Sequence, residues 1–321
     1  MPTRRALLKA GAAGASLIGM GARLDAAATL RTAVDFDVPP GGCDCHVHVF
    51  DPAHFAYARE RVYTPPAASL EGLRDLQSAL HLDRVVIVQP SVYGTDNSCT
   101  LDAVRRLGPR ARGVAVIDTS TTAAALDELA ASGIAGVRLN FETVGESDPV
   151  AIRRHLNAIA DRLRGRNWHI QFNTSLSVIA ALQDDFAALP FPVVFDHFGR
   201  AKAALGPSQP GFDALLGLVK SAHAYVKISA AYRMSDKPPD FADAAPIAQA
   251  LVAANPDRVV WGSNWPHPGR GQTATDIAPP YPNDDGMLFN QLPKWLGDPA
   301  TVRKVLVDNP ARLYGFATTA L

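Results

Sequence analysis

The chain is 321 residues long, 47% hydrophobic, and carries 31 basic against 31 acidic residues. That length and apolar content suffice for a barrel-sized core, and the even charge balance gives no sign of a polyanion-binding or disordered protein. The expected partner is a small molecule, not nucleic acid.

The first 28 residues read as an export signal. Thr3-Arg-Arg-Ala-Leu-Leu-Lys9 sets paired arginines before a short Gly- and Ala-rich run at 10–22, and Ala26-Ala-Ala28 offers a small-residue cleavage site. This pattern resembles a twin-arginine signal, and the run is too short and weakly apolar for a membrane span. A folded mature protein in the periplasm, free of the membrane after cleavage, is the expectation. A linker over 29–40 and one domain over 41–318 would follow.

From residue 41 onward, short apolar runs alternate with helical stretches. The runs lie at 42–49, 84–90, 112–118, 135–141, 169–174, 192–197, 225–230 and 258–262. Between them, 70–80, 122–132, 149–164, 177–187, 211–222 and 246–254 carry apolar residues at three- and four-residue spacing. Eight such units predict a parallel, right-handed (β/α)8 TIM barrel. A doubly wound open sheet is the competing architecture, but no Gly-x-Gly-x-x-Gly follows an early strand.

Alternation within the strands sorts side chains by face. Asp44, His46 and His48 share one parity in Gly41-Gly-Cys-Asp-Cys-His-Val-His-Val-Phe50, as do Gln89 with Ser91, Arg138 with Asn140, and His169 with Gln171 and Asn173. These polar sets are expected to face the barrel interior, with Val137, Leu139, Phe141, Trp168, Ile170 and Phe172 packed outward. On the same logic Cys43 and Cys45 face away from the histidines; with Cys99 they read as small core residues, since spacing by two gives poor disulfide geometry. Asp44 is read as fixing backbone or histidine geometry. Asp196 falls on the opposite parity from His197, so it is placed off the site. Trp261 and Trp265 are read as packing.

Further polar segments end strands where this fold gathers its chemistry. They are Gln89-Pro-Ser-Val-Tyr-Gly-Thr-Asp-Asn97, Gly136-Val-Arg-Leu-Asn-Phe141, Phe195-Asp-His-Phe-Gly-Arg200 and Trp261-Gly-Ser-Asn-Trp-Pro-His267. With the first strand they bring His46, His48, His197, Asn264 and His267 to one rim. Taken in order, these motifs resemble the amidohydrolase superfamily, in the branch of 2-pyrone-4,6-dicarboxylate lactonase, 4-sulfomuconolactone hydrolase and galactarolactone isomerase. The resemblance runs from about residue 40 to Tyr314 of Asn-Pro-Ala-Arg-Leu-Tyr.

The resemblance implies that His46, His48 and His197 are the family histidines, which bind a divalent ion in metal-bearing relatives, and that Asn264 stands where those relatives place an aspartate base. Asparagine neither accepts a proton nor adds anionic charge. Three neutral imidazoles can still hold zinc, so two states stay open: no cofactor, or one weakly held divalent ion on His46, His48 and His197. The substrate-facing loops, with Ser91, Tyr93, Thr95, Asn140, Gln171 and Pro282-Asn-Asp-Asp-Gly286, echo the lactone hydrolases, and Arg138, Arg200 and Arg233 would form a cationic rim for a carboxylate or sulfonate. The expected activity is hydrolysis of the C–O ester bond of a carboxylated lactone, with His197 or His267 as proton acceptor. Lactone isomerisation without net hydrolysis and a non-catalytic periplasmic ligand-binding barrel are the alternatives.

Overall fold

A computed structural model describes residues 32–317, so the proposed signal at 1–28 lies outside the described residues. Eight parallel strands follow in chain order around one sheet: β1 (Cys43–Val47), β2 (Arg84–Val88), β3 (Ala111–Ala115), β4 (Ile134–Asn140), β5 (His169–Asn173), β6 (Val193–Phe195), β7 (Ala224–Ser229) and β8 (Val259–Gly262). The first and last edges meet just beyond β8, where Asn264 N donates to His46 O and His48 N donates to Trp265 O, both at 2.8 Å. The architecture is the (β/α)8 barrel that the alternation predicts.

Helices cover the outside, and their sequences explain their limits. Ser69 caps Leu70–Ala79 by accepting from Gly72 N, Thr122 caps Ala123–Ala131 by accepting from Ala125 N, and Asp148 with Pro149 opens Pro149–Arg162. The stretch predicted at 177–187 forms two short helices, Leu176–Ala181 and Gln183–Ala187. Helix Ser98–Leu107, which closes the second βα unit, escapes the periodicity reading because its buried stripe is Cys99, Thr100, Ala103 and Val104, a weakly apolar set. Among the described residues, no helix is long and apolar enough to cross a membrane.

Two apolar layers result. Val85, Ile87, Val137, Leu139, Ile170 and Phe172 belong to the outer layer packed under the helices. Val86, Val88, Val114, Val194, Tyr225 and Val260 fill the lumen, where Tyr314 and Phe316 join them from the C-terminal segment. Trp261 meets Phe289 with ring centroids 4.6 Å apart, and Trp265 is fully buried, so both tryptophans pack as expected.

The cysteines correct the parity argument. Cys43 and Cys45 lie in the lumen cluster, not on the outer face. The reason is a bulge: Asp44 pairs with Val85 and Val47 with Ile87, so three steps on β1 match two on β2. Cys45 and His46 therefore both turn inward, and Asp44 takes the outer parity. Its Oδ1 accepts from His46 N and from Ser263 N, each at 3.0 Å, which braces the bulge against the segment after β8. Burial raises the Asp44 carboxyl to about 6. Gly262 is required here, because a Cβ at this position would lie 2.6 Å from His46 Cβ.

The described part of the expected linker is tied down rather than free. Thr32 Oγ1 donates to Asp284 Oδ2 at 2.8 Å, Asp35 N donates to Asn290 Oδ1 at 3.1 Å, and Phe36 meets Phe289 with centroids 4.9 Å apart.

Candidate active site

A cavity of about 280 Å³ opens at the C-terminal end of the barrel, a volume suited to a small ligand. Of the residues nominated from sequence, His48, Arg138, Asn140, His197, Arg200, Arg233 and Asn264 line it. His46 lies just beneath, with its ring centroid 5.0 Å from His48 and 4.8 Å from His197. The three nominated histidines thus converge on one another.

Their hydrogen bonds assign tautomers. His48 Nδ1 lies 2.8 Å from Val88 O, a pure acceptor, so Nδ1 carries the hydrogen and Nε2 keeps a lone pair. His46 Nδ1 faces Asp196 Oδ1 at 3.2 Å, and its Nε2 is buried without a partner. His197 Nδ1 meets Ser229 Oγ at 2.8 Å. Burial holds all three imidazoles neutral: His46 falls to about 3, and His48 and His197 drop well below the ordinary value.

Asp196 occupies the centre of the site, contrary to the expectation that its parity removes it. The strand β6 ends at Phe195, so His197 already belongs to the following turn and strand alternation does not relate the two residues. Asp196 shares the lumen with Val194. Its Oδ2 accepts from Arg138 Nε at 3.3 Å, Arg138 Nη2 at 3.1 Å and Gln171 Nε2 at 3.1 Å. Burial opposes its charge, yet contact with His46 and the cations Arg138 and Lys227 hold its carboxyl well below the usual range.

Lys227, on β7, was not singled out from sequence. It is fully buried, and its Nζ donates to Cys45 O at 2.8 Å and Gln171 Oε1 at 2.6 Å. Burial lowers its ammonium to about 8, against the opposing pull of Asp196. A lysine inside an otherwise apolar strand, Ala224-Tyr-Val-Lys-Ile-Ser229, was the available signal.

Asn264 Nδ2 donates to Tyr232 OH at 2.6 Å, so Oδ1 is the atom it offers to the cavity. Its backbone φ is +64°, and His197 at +52° and His267 at +57° share the left-handed region that non-glycine residues avoid. His267, however, is buried off the cavity, with Nε2 2.8 Å from Asp285 Oδ1. Gln171 also lies outside the lining and acts through Asp196. Tyr93 is buried and accepts from Asp51 N at 2.8 Å, while Thr95 is exposed and Ser91 stands apart from the cavity.

The arginine rim divides in two. Arg138 is bound to Asp196, and Arg200 Nη2 meets Glu142 Oε1 at 2.6 Å. Arg233 has no carboxylate partner among the described residues: its Nη2 donates to Pro268 O at 3.2 Å and its guanidinium sits over Tyr232 and Tyr281. Arg270, missed in the sequence because it lies in the long segment after β8, lines the same cavity and donates to Thr143 O at 2.9 Å.

Fold and site together define a (β/α)8 barrel with a histidine-rich centre at the mouth of its strands. The amidohydrolase family model matches residues 43–316, and the chain belongs to that family. It is 36% identical over 284 residues to a 4-sulfomuconolactone hydrolase of Hydrogenophaga intermedia, covering 87% of this chain and 90% of that protein. It is also 36% identical over 289 residues to a 2-pyrone-4,6-dicarboxylate hydrolase of Comamonas testosteroni, covering 87% and 92%. Among solved structures, an Agrobacterium tumefaciens protein without ligand superimposes with a TM-score of 0.77 at 27% identity, over 89% of this chain and 100% of that one.

Proposed function

We propose that this chain is a hydrolase that opens a small anionic lactone at its C–O ester bond. One observation carries the reading: the cavity joins His48, His197 and Asn264 to two guanidiniums, Arg233 and Arg270, that have no carboxylate of their own among the described residues. The names of the two relatives above, both lactone hydrolases at 36% identity, support it.

In this reading Arg233 and Arg270 bind the acid group, since a guanidinium fork suits a carboxylate or sulfonate. Arg138 spends Nε and Nη2 on Asp196, which leaves Nη1 to stabilise the oxyanion that develops on the ester carbonyl. Asn264 Oδ1 accepts a hydrogen bond from the attacking water and orients it. The lone pair on His48 Nε2 takes the water's proton and returns it to the ring oxygen as the adduct collapses and the ester C–O bond breaks; Asn264 cannot do so, and His267 does not line the cavity.

The donor set also fits a divalent metal. His46 Nε2 is a buried orphan, and His46, Asp196 and His197 bring ligand atoms within 4.8 Å of one another. This group differs from the expected His46, His48 and His197 set in having Asp196 where His48 was placed, and the His48 ring lies beside it. Zinc held there would add Lewis acidity at the ester carbonyl.

Incubation of the purified protein with 4-sulfomuconolactone and with 2-pyrone-4,6-dicarboxylate, with and without zinc, should show ring opening by loss of the lactone absorbance. No reaction with either, in either condition, would overturn the reading. Asn264 favours one second reading, isomerisation through a substrate hydroxyl. Reaction in ¹⁸O-labelled water separates the two, because only hydrolysis brings solvent oxygen into the product. The periplasm is the proposed place of action, on the twin-arginine pattern at 3–28.

A further inference from the structure

We propose that Lys227 is an internal counter-cation that sets the metal affinity of this site, so that His46, Asp196 and His197 supply the donor atoms for zinc yet hold it weakly. The inference rests on the cluster being the reactive centre, but it concerns binding and not turnover.

The bulge in β1 sets the position of this cation. The extra residue turns Cys45 O toward the lumen, where Lys227 Nζ donates to it at 2.8 Å. The same ammonium donates to Gln171 Oε1 at 2.6 Å and lies 3.8 Å from Asp196 Oδ1 and 3.5 Å from His46 Nδ1. Two neutral acceptors and a carboxylate around one nitrogen identify a charged ammonium. It is sealed from solvent, so neither water nor salt screens it.

Charge counting then decides the matter. Asp196 is the carboxylate of the cluster, and its Oδ2 is already committed to Arg138 and Gln171. Arg138 and Lys227 are both positive, the imidazoles are neutral, and Asn264 contributes nothing where an aspartate would contribute a negative charge. The three charged side chains in direct contact at the cluster, Arg138, Lys227 and Asp196, therefore sum to one net positive charge before any ion arrives. A divalent ion entering such a desolvated pocket meets repulsion that its nitrogen ligands do not remove. Arg138 borders the cavity, where an anionic ligand can offset it; Lys227 is enclosed and has no such relief. Removing the Lys227 charge is thus the change that releases metal affinity.

The test is calorimetric titration of the metal-free, full-length protein with zinc chloride, backed by competition with a chromophoric chelator. Lys227→Met should bind zinc at least about tenfold more tightly than the parent, and Lys227→Arg, which keeps the charge, should match the parent. His46→Gln in the Lys227→Met background should abolish the gain, placing it at this cluster. Lys227→Gln, which keeps a donor for Cys45 O, gives the same comparison if the methionine variant does not fold. Equal affinities across parent, Met and Gln variants would overturn the proposal, as would stoichiometric, sub-micromolar zinc in the parent. A failed lactone assay would count against the hydrolase reading alone and leave this result standing.

Discussion

Asp196→Asn is the perturbation that most directly tests the electrostatic organisation of the barrel centre. The carboxylate takes two hydrogen bonds from Arg138 and one from Gln171, and faces Lys227 at 3.8 Å, all with side chains at most 5% exposed. The amide keeps the volume but strands two buried cations and points an N–H toward one of them. Removing one partner of a buried ion pair costs about 3–5 kcal/mol. For a domain of this size each kcal/mol shifts Tm by about 2 °C, so a fall of about 6–10 °C is expected by circular dichroism melting. Urea titration should give the same loss with an unchanged m value. Asp196→Asn with Lys227→Met should recover part of it, since the double change removes one stranded charge, with a coupling energy of at least about 1 kcal/mol. A drop below about 2 °C for the single variant would refute the view that Asp196 is the ionised hub of this network.

Arg233→Ala and Arg270→Ala should each raise KM for an anionic lactone by about tenfold or more with a smaller effect on kcat, because each removes a charged hydrogen bond to a group remote from the ester; an unchanged KM would place the acid group elsewhere. Asn264→Ala should lower kcat about 100-fold with little change in KM, as loss of a positioned polar contact does, and an unaffected kcat would show that water is oriented by another group. The metal-free protein should lose stability in acid. His46 and His169 have folded values lowered by burial to about 3, so the unfolded state binds their protons first and stability falls as pH drops below the ordinary histidine value of about 6.5. At about pH 5 each costs about 2 kcal/mol, while Asp44, raised by burial to about 6, returns only about 1.4 kcal/mol. A Tm that stays level or rises between about pH 7 and about pH 5 would contradict this. Replacing both Arg4 and Arg5 by Lys should trap the protein in the cytoplasmic fraction, and continued appearance in the periplasm would reject the twin-arginine reading.

The barrel was legible because each strand is a short apolar run and six covering helices keep a helical stripe, which local periodicity records. The converging histidines were legible for the same reason, since His46 and His48 sit two apart in one extended segment. What escaped depends on contacts made far along the chain. Lys227 donates to Cys45 O and Gln171 and faces Asp196 at 3.8 Å, residues on or just after three other strands. Asp196 was misplaced because the end of β6 by one residue decides whether it shares a face with His197. Arg138 and Arg200 look like free cations in sequence, yet Asp196 and Glu142, each 58 residues away from its partner, claim them.

The bulge in β1 joins these cases. Perfect alternation in Cys43-Asp-Cys-His-Val-His48 would place either the cysteines or the histidines inside, never both. One extra residue between Asp44 and Val47 lets Cys45 and His46 face the lumen together, and the unpaired backbone this creates is then used: Asp44 and Ser263 hold the kink, and Cys45 O becomes an anchor for the Lys227 ammonium. The irregularity that defeats the parity rule is therefore also what installs a cation under His46. Straightening β1 would cost the site its electrostatic character as well as its geometry, because the lysine would lose the carbonyl that fixes it 3.5 Å from His46 Nδ1.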